Sequence, residues 1–235
     1  MKFSFSRNFA LRIAFVLDEL FPPLIRDAHW FTAIPFRLLA GKKAELFYRF
    51  KDRAMSMSVE EFAEVYRQFD DVAIQRETDL NAACMQDILQ SVRGSTVLEV
   101  GCGKGLLASR LSDKSQVTAT DIALKPDLIQ KYPQITFKEA NIEHLPFDDQ
   151  SFDTVVTTHT LEHVQNLFLA IQELRRVTRQ RLIIVVPKQR PYRYTFDLHL
   201  HFFPYEHSLL TIMGTGRKNR CTTVGGDLFY VEDFE

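Results

Sequence analysis

The stretch Val97-Leu98-Glu99-Val100-Gly101-Cys102-Gly103-Lys104-Gly105 decides the fold. An apolar run passes through one acid into three glycines at alternate positions. That pattern predicts a buried strand turning sharply into a helix. Glycine tolerates the left-handed backbone of such a turn and leaves the main chain bare enough to lie against a ligand. Outward from the turn, short apolar runs alternate with helical segments. Candidate strands are Thr96–Val100, Gln116–Asp121, Ile135–Glu139, Phe152–Thr157 and Arg181–Val186. Candidate helices lie at Gly105–Ser112, Lys125–Tyr132 and Asn166–Arg179. This alternation predicts an α/β protein with a doubly wound, mostly parallel sheet and right-handed crossovers. Two further strand-like pieces, Arg220–Val224 and Leu228–Val231, flank Gly225-Gly226 and predict an antiparallel C-terminal hairpin at the sheet edge.

Upstream, residues 58–74 predict a helix capped by Ser58, with Glu60 and Glu61 in its first turn, where the helix dipole favours acids. A second helix, roughly Gln75–Gln90, places Leu80, Cys84, Ile88 and Leu89 on one side and leads into the first strand. Residues 1–57 read as an N-terminal helical extension, and 58–235 as the main domain. A chain of 235 residues, 46% apolar, has enough material for both. Net charge is near zero but unevenly placed: residues 1–54 hold ten Lys and Arg against five Asp and Glu. A basic, aromatic-rich leader can meet a membrane surface, serve as a lid or form an oligomer contact such as a homodimer. The apolar run at Phe9–Leu17 is interrupted by Arg12 and too short to span a bilayer. Cys84, Cys102 and Cys221 lie far apart without a CxxC pair, so neither a zinc knuckle nor a disulfide framework is expected. The expected location is cytoplasmic, with peripheral membrane association through residues 1–55.

In an open parallel sheet, ligands bind at the carboxyl ends of the strands. The glycine turn sits at such an end. Glu99, just before it, is poorly placed to greet a pyrophosphate but suits an ammonium-bearing ligand. Asp121 ends the next strand, about twenty residues on, where an acid can take both hydroxyls of a ribose. Ile122 offers an apolar face to a base, and Asn141-Ile142, closing the third strand, can read an adenine rim. After the fourth strand comes Thr157-Thr158-His159-Thr160-Leu161-Glu162-His163-Val164.

Together these segments resemble class I S-adenosylmethionine-dependent methyltransferases of the ubiquinone and menaquinone biosynthesis type. The family's acid-x-Gly-x-Gly-x-Gly motif is matched by Glu99, Gly101, Gly103 and Gly105, with Cys102 inside it. Its ribose acid is matched by Asp121, and its adenine-edge position falls on Asn141-Ile142, where many members have Asp. Its Leu-Pro-Phe, Ser-Phe-Asp and Leu-Glu-His-Val segments recur at 145–147, 151–153 and 161–164. The resemblance covers roughly residues 95–190 and implies a Rossmann-like fold and S-adenosyl-L-methionine as cofactor. Glu99 and the glycines would hold the methionine end, Asp121 the ribose, and Ile122, Asn141 and Ile142 the adenine, while Thr158 or His159 would line the sulfonium pocket. His159 and His163 are the candidate bases toward an acceptor. An oxygen of a small-molecule or lipid-linked acceptor is the expected target.

A second histidine group, His199, His201 and His207, follows the fifth strand. Joined with Glu162 and His163 it could hold a metal, faintly resembling metal-dependent RNA 2′-O-methyltransferases. That family's first ligand position is His159 here, and the body of the chain is acidic, so neither nucleic acid nor a metal is expected. The commoner role for this stretch is an acceptor-pocket loop lined by Tyr192, Tyr194, His199, His201, Phe202 and Phe203. A catalytically silent binding protein on the same fold is the third reading.

Overall fold

A computed structural model of the protein describes residues 12, 15–17, 20–41, 44–69, 77–194, 197–214 and 218–234. The chain divides into two compact units, Met1–Arg76 with Arg190–Leu200, and Glu77–Gln189 with His201–Glu235.

The described part of the first unit holds helices α1 (Pro23–Arg26), α2 (His29–Ala40), α3 (Ala44–Ala54) and α4 (Val59–Phe69). Helix α4 starts where Ser58 Oγ accepts from Glu61 N at 3.2 Å while Ser58 N donates to Glu61 Oε2 at 3.0 Å. This reciprocal pair satisfies two amides that the first turn leaves without helical partners. Phe62 buries against Phe50, ring centroids 5.9 Å apart. Helix α4 therefore groups with the helices before it, and the division falls after α4 rather than at residue 57. The segment 190–200 is knit into the same unit. Arg26 lies 4.1 Å above the Tyr192 ring and donates to Pro191 O at 2.6 Å. Lys51 Nζ donates to Tyr192 O, and Tyr194 meets Tyr48 edge-on at 5.0 Å.

The second unit is built on seven strands: β1 (Thr96–Val100), β2 (Gln116–Asp121), β3 (Thr136–Glu139), β4 (Phe152–Thr158), β5 (Thr178–Pro187), β6 (Asn219–Val224) and β7 (Asp227–Asp233). Their order is β3-β2-β1-β4-β5-β7-β6. The pairs among β1 to β5 are parallel, while β7 runs antiparallel to both β5 and β6. Because side chains alternate along a strand, the apolar runs of β1, β4 and β5 feed two cores. Leu98, Val100, Val155, Leu182 and Ile184 pack on one face against α8 (Leu167–Val177) and α9 (Glu206–Met213). Val97, Val117, Val156, Ile183 and Val185 pack on the other against α5 (Ala82–Ser91), α6 (Leu106–Leu111) and α7 (Leu128–Lys131). Each fully buried Leu, Ile or Val contributes about 1.5–3 kcal/mol.

Helix α5 begins later than the predicted Gln75, because Asn81 caps it by accepting from Cys84 N at 2.9 Å; residues 70–76 lie outside the described residues. Helix α8 stops at Val177 because Thr178 opens β5, whose pairing starts with Phe152. Helix α9 was not expected from the histidine-rich sequence. The hairpin is not only an edge feature: β7 sits inside the sheet. Arg175 grips Glu232 Oε2 at 3.0 and 2.8 Å, and Arg181 holds Asp233 through two bonds of 2.7 and 3.1 Å. Among the described residues, no helix is long and apolar enough to cross a membrane.

Candidate cofactor site

At the carboxyl end of β1 the chain turns in a left-handed conformation, with φ of 79°, 52° and 72° at Gly101, Gly103 and Gly105. The three glycines serve different ends. A Cβ on Gly101 would lie 2.1 Å from Thr160 Oγ1, so the loop after β4 closes against this point. A Cβ on Gly105 would touch Tyr132 at 3.2 Å, so this glycine lets α6 pack. A Cβ on Gly103 would meet nothing within 4 Å, which leaves its backbone open to a ligand.

The amides of Gly101 and Cys102 both donate to Thr120 O, at 2.8 and 2.9 Å, tying the turn to the end of β2. Cys102 turns its thiol into the core, where burial raises its pKa far above the usual thiol range. Its expected cofactor role is thereby corrected: Cys102 shapes the turn from beneath and offers a ligand neither its thiol nor its amide.

Glu99 points to the face covered by α6 and is 2% exposed. Its Oε2 has no hydrogen-bond partner. Burial pushes its pKa up to about 8; the Ala108 backbone pulls it down and the charge of Asp121 adds to the rise. A buried carboxyl in this condition favours a cationic ligand that would supply the missing partner. Asp121 accepts from Gly103 N at 2.8 Å and from Ala123 N at 3.0 Å, so its carboxylate is aimed at the glycine turn. Glu99, Gly103 and Asp121 thus fit a cofactor with an ammonium at one end and a ribose at the other.

Beyond β3, Asn141 Oδ1 accepts from Glu143 N at 2.9 Å, an Asx turn that fixes the loop. Ile142 is a core residue on the α8 side of the sheet. Ile122, directly after β2, is half-buried.

After β4, Thr157 Oγ1 donates to Val100 O at 2.9 Å and Thr160 Oγ1 to Thr158 O at 3.1 Å. Thr158, the last residue of β4, pairs with Val185. His159 follows with φ 50°. Its Nδ1 lies 3.5 Å from Glu162 Oε1 and its Nε2 3.4 Å from Asp227 Oδ2. Burial alone would lower its pKa; the flanking Asp227 and Glu162 outweigh burial and push it up to about 10. The two flanking carboxyl groups thus favour the protonated form of His159. His163 N is bonded to Thr160 O at 2.9 Å on the same loop.

Of the second histidine group, His201 and His207 belong to this unit. His201 Nε2 bonds Val164 O at 2.9 Å, and His207 stacks on Tyr205. Phe203, expected to line a pocket, is fully buried in the core. Tyr192, Tyr194 and His199 belong to the first unit. Sequence reasoning missed Asp227 and its meeting with Asn81, which depends on where the hairpin lies.

Residues 98–186 match the family described as a methyltransferase domain. The glycine turn lies within this matched segment, and the sheet order agrees with that fold. A 2-phytyl-1,4-naphtoquinone methyltransferase of Trichormus variabilis is 36% identical over 96 residues, 36% of this chain and 42% of the relative. The ubiquinone biosynthesis O-methyltransferase of Paracidovorax citrulli is 33% identical over 102 residues, 40% of this chain and 43% of the relative. The chain thus spans less than half the length of these curated relatives. A crystal structure of an S-adenosylmethionine-dependent methyltransferase from Aquifex aeolicus shares the fold, with TM-score 0.53 at 19% identity, covering 75% of this chain and 98% of that one.

Proposed function

We propose that the protein transfers a methyl group from S-adenosylmethionine to an oxygen of a small or lipid-linked acceptor. The observation that carries this reading is the buried Glu99 carboxyl, lacking a partner at Oε2, beside the open backbone of Gly103 and the carboxylate of Asp121. Glu99 would hold the ammonium, Asp121 the ribose hydroxyls, and the Asn141 loop the adenine edge. When bound, the cofactor supplies an activated methyl on a sulfonium. The chain's task is alignment and exclusion of water. His159, favoured in its protonated form, fixes the loop after Thr158, and His163 on that loop takes the acceptor proton.

Relatives named for quinone substrates support a flat aromatic acceptor carrying a lipid tail. Such an acceptor resides in a bilayer, and the first unit has a surface suited to one. Leu24, Trp30 and Leu38 are 88, 68 and 75% exposed, with Arg37 exposed beside them. Large apolar side chains beside a cation favour an anionic bilayer interface. Calorimetric titration with S-adenosylmethionine tests the central reading. Micromolar binding by the wild type, weakened in Asp121→Ala, is expected; a folded protein that takes up no cofactor refutes it.

A further inference from the structure

The hairpin turn between β6 and β7 and the loop after β4 are joined by a buried polar chain. Asn81 caps α5 through Cys84 N, and its amide nitrogen donates to Val224 O at 3.1 Å and to Asp227 Oδ2 at 2.8 Å. Gly225 is shaped to this contact: its φ is 57°, and a Cβ there would lie 2.5 Å from Asn81 Oδ1. Asp227, 1% exposed, faces His159 Nε2 at 3.4 Å from β7, and Glu162, 1% exposed, faces Nδ1 at 3.5 Å from the histidine's own loop. Neither oxygen of Glu162 has a hydrogen bond, and Oε1 lies 3.5 Å from the imidazole. His159 keeps a left-handed backbone that a side-chain-bearing residue holds only when its surroundings impose it. One residue on, Thr160 presses on the point where Gly101 leaves no room for a Cβ.

We infer that Asp227 and Asn81 are positioning residues for the cofactor. They clamp His159, and through it the loop from Thr158 to Glu162, against the glycine turn, which makes the C-terminal hairpin part of the site. The inference rests on the S-adenosylmethionine reading of that turn. Asp227 is placed to act electrostatically as well as sterically. An Asn there keeps the shape and can still accept from Asn81, but it leaves His159 facing Glu162 alone.

The experiment uses the full chain, S-adenosylhomocysteine as calorimetric probe, and nitrogen-15-labelled histidine for NMR. The wild type should bind the probe and show His159 doubly protonated at about pH 8. Asp227→Asn, with unchanged circular dichroism, should bind at least about tenfold more weakly, a loss of about 1.4 kcal/mol when the loop is no longer held against the glycine turn. In the same variant the His159 signals should move toward the neutral imidazole. Asp227→Glu, which keeps the charge, should restore most of the affinity. Binding by Asp227→Asn within about twofold of wild type overturns the inference, whatever its histidine spectrum. Should that variant not fold, the wild-type His159 signals decide: they must shift on adding the probe, and no shift overturns the inference. A wild type that fails to bind the probe overturns the cofactor reading itself, an outcome distinct from either.

Discussion

Replacing Glu99 by Gln should strengthen the ligand-free protein while loosening its hold on S-adenosylmethionine. Burial holds the Glu99 carboxyl at about 8 instead of the ordinary 4.5. Between those values the unfolded chain ionises at this residue and the folded chain does not. Stability therefore falls as pH rises from the unfolded to the folded value, by about 1.4 kcal/mol per pH unit, or about 3 kcal/mol by pH 7. Gln escapes that loss. Its amide, without a full set of partners, costs about 1 kcal/mol at any pH, leaving a net gain of about 2 kcal/mol at pH 7 and a net loss of about 1 kcal/mol at pH 4. Urea unfolding at the two pH values, with an unchanged slope, reads this difference. The ligand side has the opposite sign. A hydrogen bond to a charged group contributes about 1.5–3 kcal/mol, so affinity should drop roughly 10- to 100-fold. Wild-type binding at pH 7 should release a proton from Glu99, making the calorimetric enthalpy depend on the buffer, and Glu99→Gln should lose that dependence. A variant that is less stable than wild type at pH 7, or that binds the cofactor equally well, refutes the reasoning.

The glycine turn offers a paired comparison. Gly101→Ala meets Thr160 at 2.1 Å and should cost about 2–4 kcal/mol of stability in chemical denaturation. Gly103→Ala meets nothing in the protein. It should cost only about 1 kcal/mol for its left-handed backbone while weakening cofactor binding in calorimetry. Asp121→Ala removes the acceptor for Gly103 N and Ala123 N and should reduce cofactor affinity by roughly tenfold or more, consistent with losing charged hydrogen bonds. On the first unit, changing Leu24, Trp30 and Leu38 to Ser should abolish co-sedimentation with phosphatidylserine vesicles, each change removing about 1.5–3 kcal/mol of apolar burial. A wild type that ignores vesicles but elutes as a dimer would turn that surface into a contact between copies.

The strands were legible because β1, β4 and β5 are apolar on both faces, as a sheet covered on both sides requires. Leu182–Val186 could hardly be anything else. Glu99 and Asp121 were legible for a local reason: their roles follow from standing at the ends of adjacent strands. The dyad of Asn81 and Asp227 was not, because 146 residues separate them and only the return of β7 alongside β5 brings them together. Phe203 was misread since an aromatic beside histidines has the same composition in a pocket lining as in a core. Helix α9 carried a signal that the histidines obscured: Pro204 before it, Gly214 after it, and Leu209 and Met213 buried one turn apart. His159 shows another boundary of sequence reasoning. Its position on the loop was clear, but its charge state depends on a carboxylate delivered by a distant strand.

The insertion of β7 between β5 and β6 also sets an order of assembly. On the ribosome, β5 emerges with Leu182, Ile183, Ile184, Val185 and Val186, all destined to be fully buried. Its natural neighbour begins at Asp227, about forty residues later. Until then β5 presents an unpaired, strongly apolar edge, the kind that recruits other strands. The parallel half of the sheet can form first, but its open side must wait for the hairpin to arrive. The same strand that carries Asp227 to His159 is thus the one that ends the nascent chain's exposure to aggregation, so damage to the hairpin should lower soluble yield before it is noticed as lost activity.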